Sequence, residues 1–227
     1  MRENTTSSAP PLAATILAAG QGRRLGGRPK ATLQVGGVSV LERLVNALRA
    51  AGVQTVSVVI GPYRDQLLPL VEHCGAHAVA HAQPCPSLID SQRLALQAHR
   101  THRADHDLLL VLGDLPLLDV ADIAPLIDAW HRRAPTVHAQ MPVVDGVRGH
   151  PLLLSSHAVQ QVCAQPGPLG VRAWLSRHPG IIEPIPTARR AHVTDLDTRR
   201  TMWPPCRPSC IPCRWPGRQP ERLSEER

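Results

Sequence analysis

The chain of 227 residues contains no phenylalanine, one tyrosine and four tryptophans, so aromatic rings make up 2% of it. A core built from this sequence has to be aliphatic, filled by Leu, Val, Ile and Ala. Ahead of residue 199 the aromatic residues are Tyr63, Trp130 and Trp174, widely spaced, which argues against a surface that stacks successive bases on interleaved rings. No run approaches the ~20 consecutive apolar residues of a membrane span. Residues 1–11 are polar, and the short apolar run 12–19 leads into glycines rather than to the cleavage site of a secretory signal. The expectation is a cytoplasmic chain with no membrane association, whose first eleven residues are disordered. Lysine is also nearly missing: Lys30 stands against twenty-four arginines. An ammonium is a compact point charge and a guanidinium a broad planar fork, so a tight anion cradle distinguishes them.

The formal charge of +7 suggests a nucleic-acid partner until its distribution is read. Residues 199–227 carry seven arginines and three glutamates, so +4 belongs to this stretch and the preceding 198 residues are close to balance. Nucleic acid is therefore not the expected partner. Cys74, Cys85 and Cys163 are isolated and read as small buried residues. Cys206-x-x-x-Cys210-x-x-Cys213 has the spacing of an iron–sulfur loop, but it lies in a Pro- and Arg-rich stretch with no fold after it to bury a cluster. Residues 199–227 are read as a disordered tail. Among the twelve histidines, His99 and His102 come nearest to ligand spacing on a helix, and they read as surface residues.

Hydrophobic period and turn signals alternate regularly. Strands are expected at 15–18, 56–60, 78–82 and 108–112, and helices at 38–51, 65–74, 89–100 and 122–133. Continuously apolar strands separated by helices imply a mostly parallel, doubly wound α/β sheet covered on both faces. After residue 136 the pattern changes to a hairpin-like excursion (137–144, a turn at Asp145-Gly146, 147–154). Two short helices at 156–164 and 170–177 and a last strand at 192–196 come next, with this part read as a small second lobe. The domain occupies 12–198. Ligands of open α/β sheets sit beyond the carboxyl ends of the strands.

Three pieces carry chemistry. The loop after the first strand, Gly20-x-Gly22-x-x-x-Gly26-Gly27, lets backbone N–H groups turn toward an anion, and Arg23, Arg24, Arg28 and Lys30 add positive charge. The apolar strand 108–112 delivers Asp114 to the same rim, as a turn cap or as a magnesium ligand facing phosphates. In Asp195-Leu196-Asp197-Thr198, extended backbone puts both carboxylates on one face, although Asp197 could instead cap the segment after it.

Together these pieces resemble the MobA-like nucleotidyltransferase family and, within it, the molybdenum cofactor cytidylyltransferases. The residues concerned are Leu17-Ala-Ala-Gly-x-Gly-x-Arg24-x-Gly26-x-x-Pro29-Lys30, Gly113-Asp114-x-Pro116, Gly149-His150-Pro151, Gly170-x-Arg172 and Asp195-x-Asp197-Thr198. The resemblance implies a Rossmann-like fold that transfers CMP from CTP to a phosphorylated acceptor, most naturally molybdopterin, with release of pyrophosphate and with Mg²⁺ as cofactor. It implies a nucleotide site of Leu17, Ala18, Ala19, Gly20, Gly22, Arg24, Lys30, Ser87 and Ser91. Lys30, Arg24 and Asp114 would be catalytic, Asp114, Asp195 and Asp197 would hold the metal, and Gly149, His150, Pro151 and Arg172 would face the acceptor. A molybdoenzyme maturation partner is a further implication. Guanylyl-transferring relatives carry two glycines where this chain has Ala19-Gly20, and the extra methyl favours a pyrimidine base.

The chain departs from the family pattern at Ser87, where a glycine is usual, at Gln92, where a leucine is usual, and after Thr198, where proline and acidic residues normally open a final helix. Two rival readings remain. Gly20-x-Gly22-x-x-x-Gly26 approximates a dinucleotide fingerprint, but Glu42, at the right distance for its acidic partner, falls inside the helix expected at 38–51. The other rival is a nucleotide-binding protein without turnover.

Overall fold

The computed structural model describes residues 10–167, 170–196 and 213–214. Its elements in chain order are β1 (Leu12–Leu17), β2 (Gln34–Val35), β3 (Val38–Ser39), α1 (Val40–Ala50), β4 (Thr55–Ile60), α2 (Arg64–His73), β5 (His77–Ala80), α3 (Leu88–His102) and β6 (Asp107–Leu112). They continue with α4 (Val120–His131), β7 (Ala139–Val144), β8 (Val147–Arg148), β9 (Leu152–Leu154), α5 (Ser156–Ala164), α6 (Val171–Arg177), β10 (Ile182–Pro186) and β11 (Cys213–Arg214). The main sheet runs β10-β7-β9-β6-β1-β4-β5, with β8 attached to β7. β1 lies between parallel neighbours, Ile16 standing beside Val58 of β4 and Val111 of β6.

Alternate residues of the central strands feed two cores. Ile16, Val58 and Val111 pack with Leu41, Leu44 and Leu48 of α1 and Trp130 of α4. Leu17, Val59 and Leu110 pack on the other face with Leu96 of α3 and Trp174 of α6. Both faces are covered, which is why the strands read as unbroken apolar runs. Burying each such leucine contributes about 1.5–3 kcal/mol. Helix starts are fixed by short polar side chains. Ser39 Oγ accepts the Glu42 N–H at 3.1 Å, and reciprocal capping boxes join Ser87 to Asp90 and Asp119 to Asp122.

The expected doubly wound sheet is present, with shifts that have local causes. β1 begins at Leu12, three residues earlier than expected. α1 begins at Val40 because residues 38–39 pair with 34–35 in a small antiparallel hairpin. The excursion after residue 136 is built onto the main sheet. β7 and β8 are joined through Asp145 (φ 50°) and Gly146 (φ 79°), the left-handed pair that a two-residue hairpin turn demands, and β9 lies antiparallel between β6 and β7. No strand forms at 192–196. Its N–H groups go elsewhere, that of Val193 to the Arg190 carbonyl and that of Leu196 to the Asp114 carbonyl, each at 3.0 Å. The last strand of the sheet is instead β10, which Pro184 and Pro186 had disguised; it is an edge strand, where proline is tolerated. Of the expected tail, Cys213–Arg214 pair antiparallel with β2. The rest of it, Asp197 and Thr198, and residues 1–9 lie outside the described residues.

Candidate active site

The chain leaves β1 for β4 and β5 on one side and returns to β6 on the other, so the loops beyond β1 and β6 diverge and open a crevice at the carboxyl ends of the strands. Two backbone bonds hold its lips. The Ala18 N–H donates to the Val59 carbonyl and the Gly113 N–H to the Leu17 carbonyl, both at 2.9 Å.

The glycine loop is folded back on itself. Gly22 has φ 55°, its carbonyl accepts the N–H of Leu25 at 2.8 Å and of Gly27 at 3.1 Å, and a Cβ there would lie 1.9 Å from the Arg28 carbonyl oxygen. Only glycine fits. Leu25 anchors the loop in the core, and Tyr63 Oη donates to the Gln21 carbonyl at 2.7 Å. A single turn at Lys30–Thr32 then buries Ala31.

Two adjoining hollows occupy the crevice. The first, about 270 Å³, is lined by Leu17, Ala18, Ala19 and Gly20, by Pro86, Ser87, Leu88 and Ser91, and by Gly113, Asp114 and Asp195. The second, about 520 Å³ and more open, is lined by Gly20 to Arg24 with Cys85. Gly20, Lys30, Pro86 and Ser87 belong to both. Lys30 Nζ donates to Asp114 Oδ2 at 2.7 Å, with the two side chains 18% and 20% exposed. A cation and a carboxylate are thus held together, half-shielded from water, where the hollows meet.

The serines of the α3 start are engaged within the chain. Ser87 Oγ donates to Asp90 Oδ2 at 2.7 Å, and this bond with the one from the Ser87 N–H holds the Asp90 carboxyl below its ordinary range. Ser91 Oγ donates to the Ser87 carbonyl at 3.0 Å, with His81 Nε2 3.2 Å away. Burial pushes the His81 imidazole down, partly countered by Asp90. The unusual Gln92 has a partner too: its Oε1 accepts the Val171 N–H at 3.3 Å and so closes the start of α6.

Gly149-His150-Pro151 and Asp195 belong to one assembly. The His150 N–H donates to the His192 carbonyl at 2.9 Å, and His192 Nδ1 meets the His150 carbonyl at 2.8 Å. The chains approach so closely that a Cβ on Gly149 would sit 2.7 Å from the His192 carbonyl oxygen. Three residues on, Asp195 lines the first hollow, and the Leu196 N–H bonds the Asp114 carbonyl. Burial lowers the pKa of His150, opposed by its contact with the Leu110 carbonyl and by the charge of Asp114.

The structure therefore gathers Leu17, Ala18, Ala19, Gly20, Gly22, Arg24, Lys30, Ser87, Ser91, Asp114 and Asp195 about the two hollows. It does not bring Gly149, His150, Pro151 or Arg172 into their lining; Arg172 is exposed on the first turn of α6. Tyr63 and His192 were missed by sequence reasoning. Neither sits in a motif, and only the single occurrence of tyrosine singled out Tyr63. Three further expectations need correction. His99 is 5% exposed, its Nε2 bonded to the His106 carbonyl at 2.9 Å, because the end of α3 packs on the sheet. Cys85 is exposed, at the rim of the second hollow, and Cys163 is only half-buried. No described helix is long and apolar enough to cross a membrane.

The MobA-like NTP transferase domain matches residues 14–181. The chain is 27% identical over 199 residues to nicotine blue oxidoreductase of Paenarthrobacter nicotinovorans, covering 86% of this chain and 96% of that one. It is 34% identical over 124 residues to CMP-5'-(3-aminopropyl)phosphonate synthase of Streptomyces rubellomurinus, covering 51% of this chain and 19% of the synthase. It spans only 25% of the length of the bifunctional GlmU protein of Coxiella burnetii that it also matches, at 30% identity over 118 residues and 52% of this chain. Among solved structures, Rv0371C of Mycobacterium tuberculosis in complex with manganese superposes with a TM-score of 0.60 at 21% identity, over 78% of this chain and 88% of that one. With the domain match taking in well over half of its residues, and with its glycine loop, Lys30 and Asp114 meeting in one crevice, the chain belongs to the MobA-like NTP transferase family.

Proposed function

We propose that this nucleotidyltransferase moves CMP from CTP to a phosphorylated acceptor, molybdopterin first among them, and releases pyrophosphate in a Mg²⁺-dependent reaction in the cytoplasm. The observation that carries the reading is the Lys30–Asp114 pair at the junction of the two hollows. The smaller hollow, narrowed by the Ala19 side chain, suits a pyrimidine, and the open hollow beside Arg23, Arg24 and Lys30 suits the phosphates. The CMP-forming activity in the name of the Streptomyces relative supports cytidine.

The donor set fits a hard divalent cation. Asp114 and Asp195 offer oxygens to one hollow, and among the described residues no group of three or more His, Cys, Asp or Glu could hold a metal alone. Magnesium is typically bound in this way, by one or two carboxylates together with substrate phosphates. Asp197 would be a third oxygen donor. The cation would neutralise phosphate charge during transfer.

In the reaction an oxygen of the acceptor phosphate attacks the α-phosphorus. The bond from that phosphorus to its bridging oxygen breaks, and the electron pair leaves with pyrophosphate. Such a step needs alignment and charge neutralisation more than a protein nucleophile. Lys30 leaves Asp114 for the β- and γ-phosphates and, with Arg24, meets the charge that grows on the leaving group. Asp114, freed of Lys30, would be one of the residues to hold the cation. The clasp of His150 and His192 holds the acceptor-side turn at a fixed distance from Asp195, and handover of the product to a molybdoenzyme maturation partner belongs to the same reading.

The oxidoreductase reading draws on one observation, the extent of the match to nicotine blue oxidoreductase. Against it, the chain turns through Gly61-Pro62 after β4, and Glu42 lies in α1, so no carboxylate stands at the end of the second long strand to take a dinucleotide ribose. A panel of CTP, GTP, ATP and NADPH with Mg²⁺ separates the readings, scored by thermal shift and by pyrophosphate formed with molybdopterin supplied. CTP is expected to stabilise the protein most and to yield pyrophosphate. Stabilisation by GTP or NADPH but not CTP overturns the proposal, and CTP binding without pyrophosphate for any phosphorylated acceptor indicates a non-catalytic binder.

A further inference from the structure

At the amino-terminal end of the same strands, away from Lys30, lies a second cleft of about 400 Å³ between the last turns of α3 and strands β1, β4 and β5. Its sheet side carries a polar row. Thr15 is in register with Ser57, and Ser57 with His77, so the three side chains stand on one face of three adjacent parallel strands. This row interrupts a face whose next layer, Leu17 beside Val59, is wholly apolar. Thr15 is only 3% exposed, and it lines the cleft beside Ser57 and His77.

The helix side supplies complementary chemistry. Arg103, at the end of α3, brings a guanidinium to the cleft, and His102 an imidazole. The space exists because the positions beside them are small: Ala13 on β1 and Ala98 on the helix. Hydroxyls and a cation around an alanine-lined interior match a ligand with an anionic head and a compact apolar body.

We propose that this cleft is a second binding site, separate from the nucleotide hollows, for a small organic anion bearing a carboxylate or a phosphate. The head is taken by Arg103 and the Thr15–Ser57 hydroxyls and the body by the alanines. The site is independent of the nucleotide reading, but it shares two elements with it. α3 begins in the first hollow at Leu88 and ends in this cleft, and β1 passes from one to the other.

The test is calorimetric titration and ligand-observed NMR on the full chain with benzoate, phenyl phosphate and, as an uncharged control, benzyl alcohol, each with and without saturating CTP. One of the two anions is expected to bind saturably at one site, unaffected by CTP, with benzyl alcohol at least about tenfold weaker, and the preferred anion identifies the head group. Thr15→Val, which keeps the shape and removes the hydroxyl, and Arg103→Gln are each expected to weaken that anion about tenfold while leaving nucleotide binding unchanged. Ala98→Leu, which fills the cleft, is expected to abolish the binding. The proposal is overturned if neither anion saturates below ~10 mM, if CTP displaces the anion, if benzyl alcohol binds equally well, or if the folded variants bind like the wild type.

Discussion

Lys30 and Asp114 neutralise each other across 2.7 Å, so each is held in place before any ligand arrives. Lys30→Arg keeps the charge but replaces a point donor with a wider planar group in a loop closed by Pro29 and a buried Ala31. Turnover is expected to fall about ten- to a hundredfold, the range of a displaced transition-state donor, with the melting temperature nearly unchanged. Steady-state kinetics beside a thermal melt checks this, and wild-type turnover in the variant would remove Lys30 from the chemistry. Tyr63→Phe removes one hydrogen bond, to the Gln21 carbonyl, that ties the glycine loop to the turn after β4. The expected cost is about 1 kcal/mol of stability, read in urea, with a raised KM for the nucleotide and an almost unchanged kcat. At this scale scarcity was informative: a lone lysine after a glycine loop could be read directly. His192 could not, because its partners are the backbone of a turn some forty residues earlier, and nothing in its own neighbourhood marks it.

Among the elements, β6 does the most to join the layers. Its first residue, Asp107, is 1% exposed and accepts hydrogen bonds from Trp130 Nε1 at 3.0 Å, Arg133 Nη2 at 2.8 Å and the Ser156 N–H at 2.9 Å. One carboxylate thus joins the end of α4, the start of α5 and the foot of the central sheet, with the Arg133 guanidinium stacked 3.7 Å over the Trp130 ring. Asp107→Ala leaves the buried Trp130 indole N–H and one arm of the half-buried Arg133 guanidinium without an acceptor, and is expected to cost about 3 kcal/mol. Chemical denaturation measures that loss, and because Lys30 lies at the other end of the strands, the folded fraction should bind nucleotide normally. The alternation of helix and strand was legible because both faces of the sheet are covered. The neighbours of β9 were not, since an apolar triplet in the sequence carries no record of which edges it will bridge. β10 was hidden by its prolines, whose cost vanishes only at an edge that sequence alone does not reveal.

Considered as a whole molecule, the protein is sensitised to acid by histidines kept neutral. Burial lowers the pKa of His99, countered in part by its bond to the His106 carbonyl, and lowers those of His150 and His138 as well. In the unfolded chain these groups take up protons near the ordinary value of 6.5, and in the folded chain only at lower pH. The unfolded state therefore binds more protons below about pH 6.5, so this stability is fully present above that point and is lost as the pH falls through it. Asp122 acts in the same direction at lower pH. Burial pushes its pKa up, but hydrogen bonds from Arg189 and Asp119 outweigh that and leave it lowered, so its contribution is present above the ordinary value of 3.8 and is lost as the pH falls from there toward the lowered one. A melting-temperature series from neutral to acidic pH should show a decline beginning near 6.5 and a second, steeper one in the carboxylate range. His99→Gln is expected to flatten the first decline and leave the second in place.

The bond from the Leu196 N–H to the Asp114 carbonyl has a consequence in time. A polypeptide is made from its amino end, so Lys30, Ser91 and Asp114 can settle around the first hollow while the ribosome is still far from Asp195. The hollow takes shape first, and the strap that brings the second carboxylate to it arrives later.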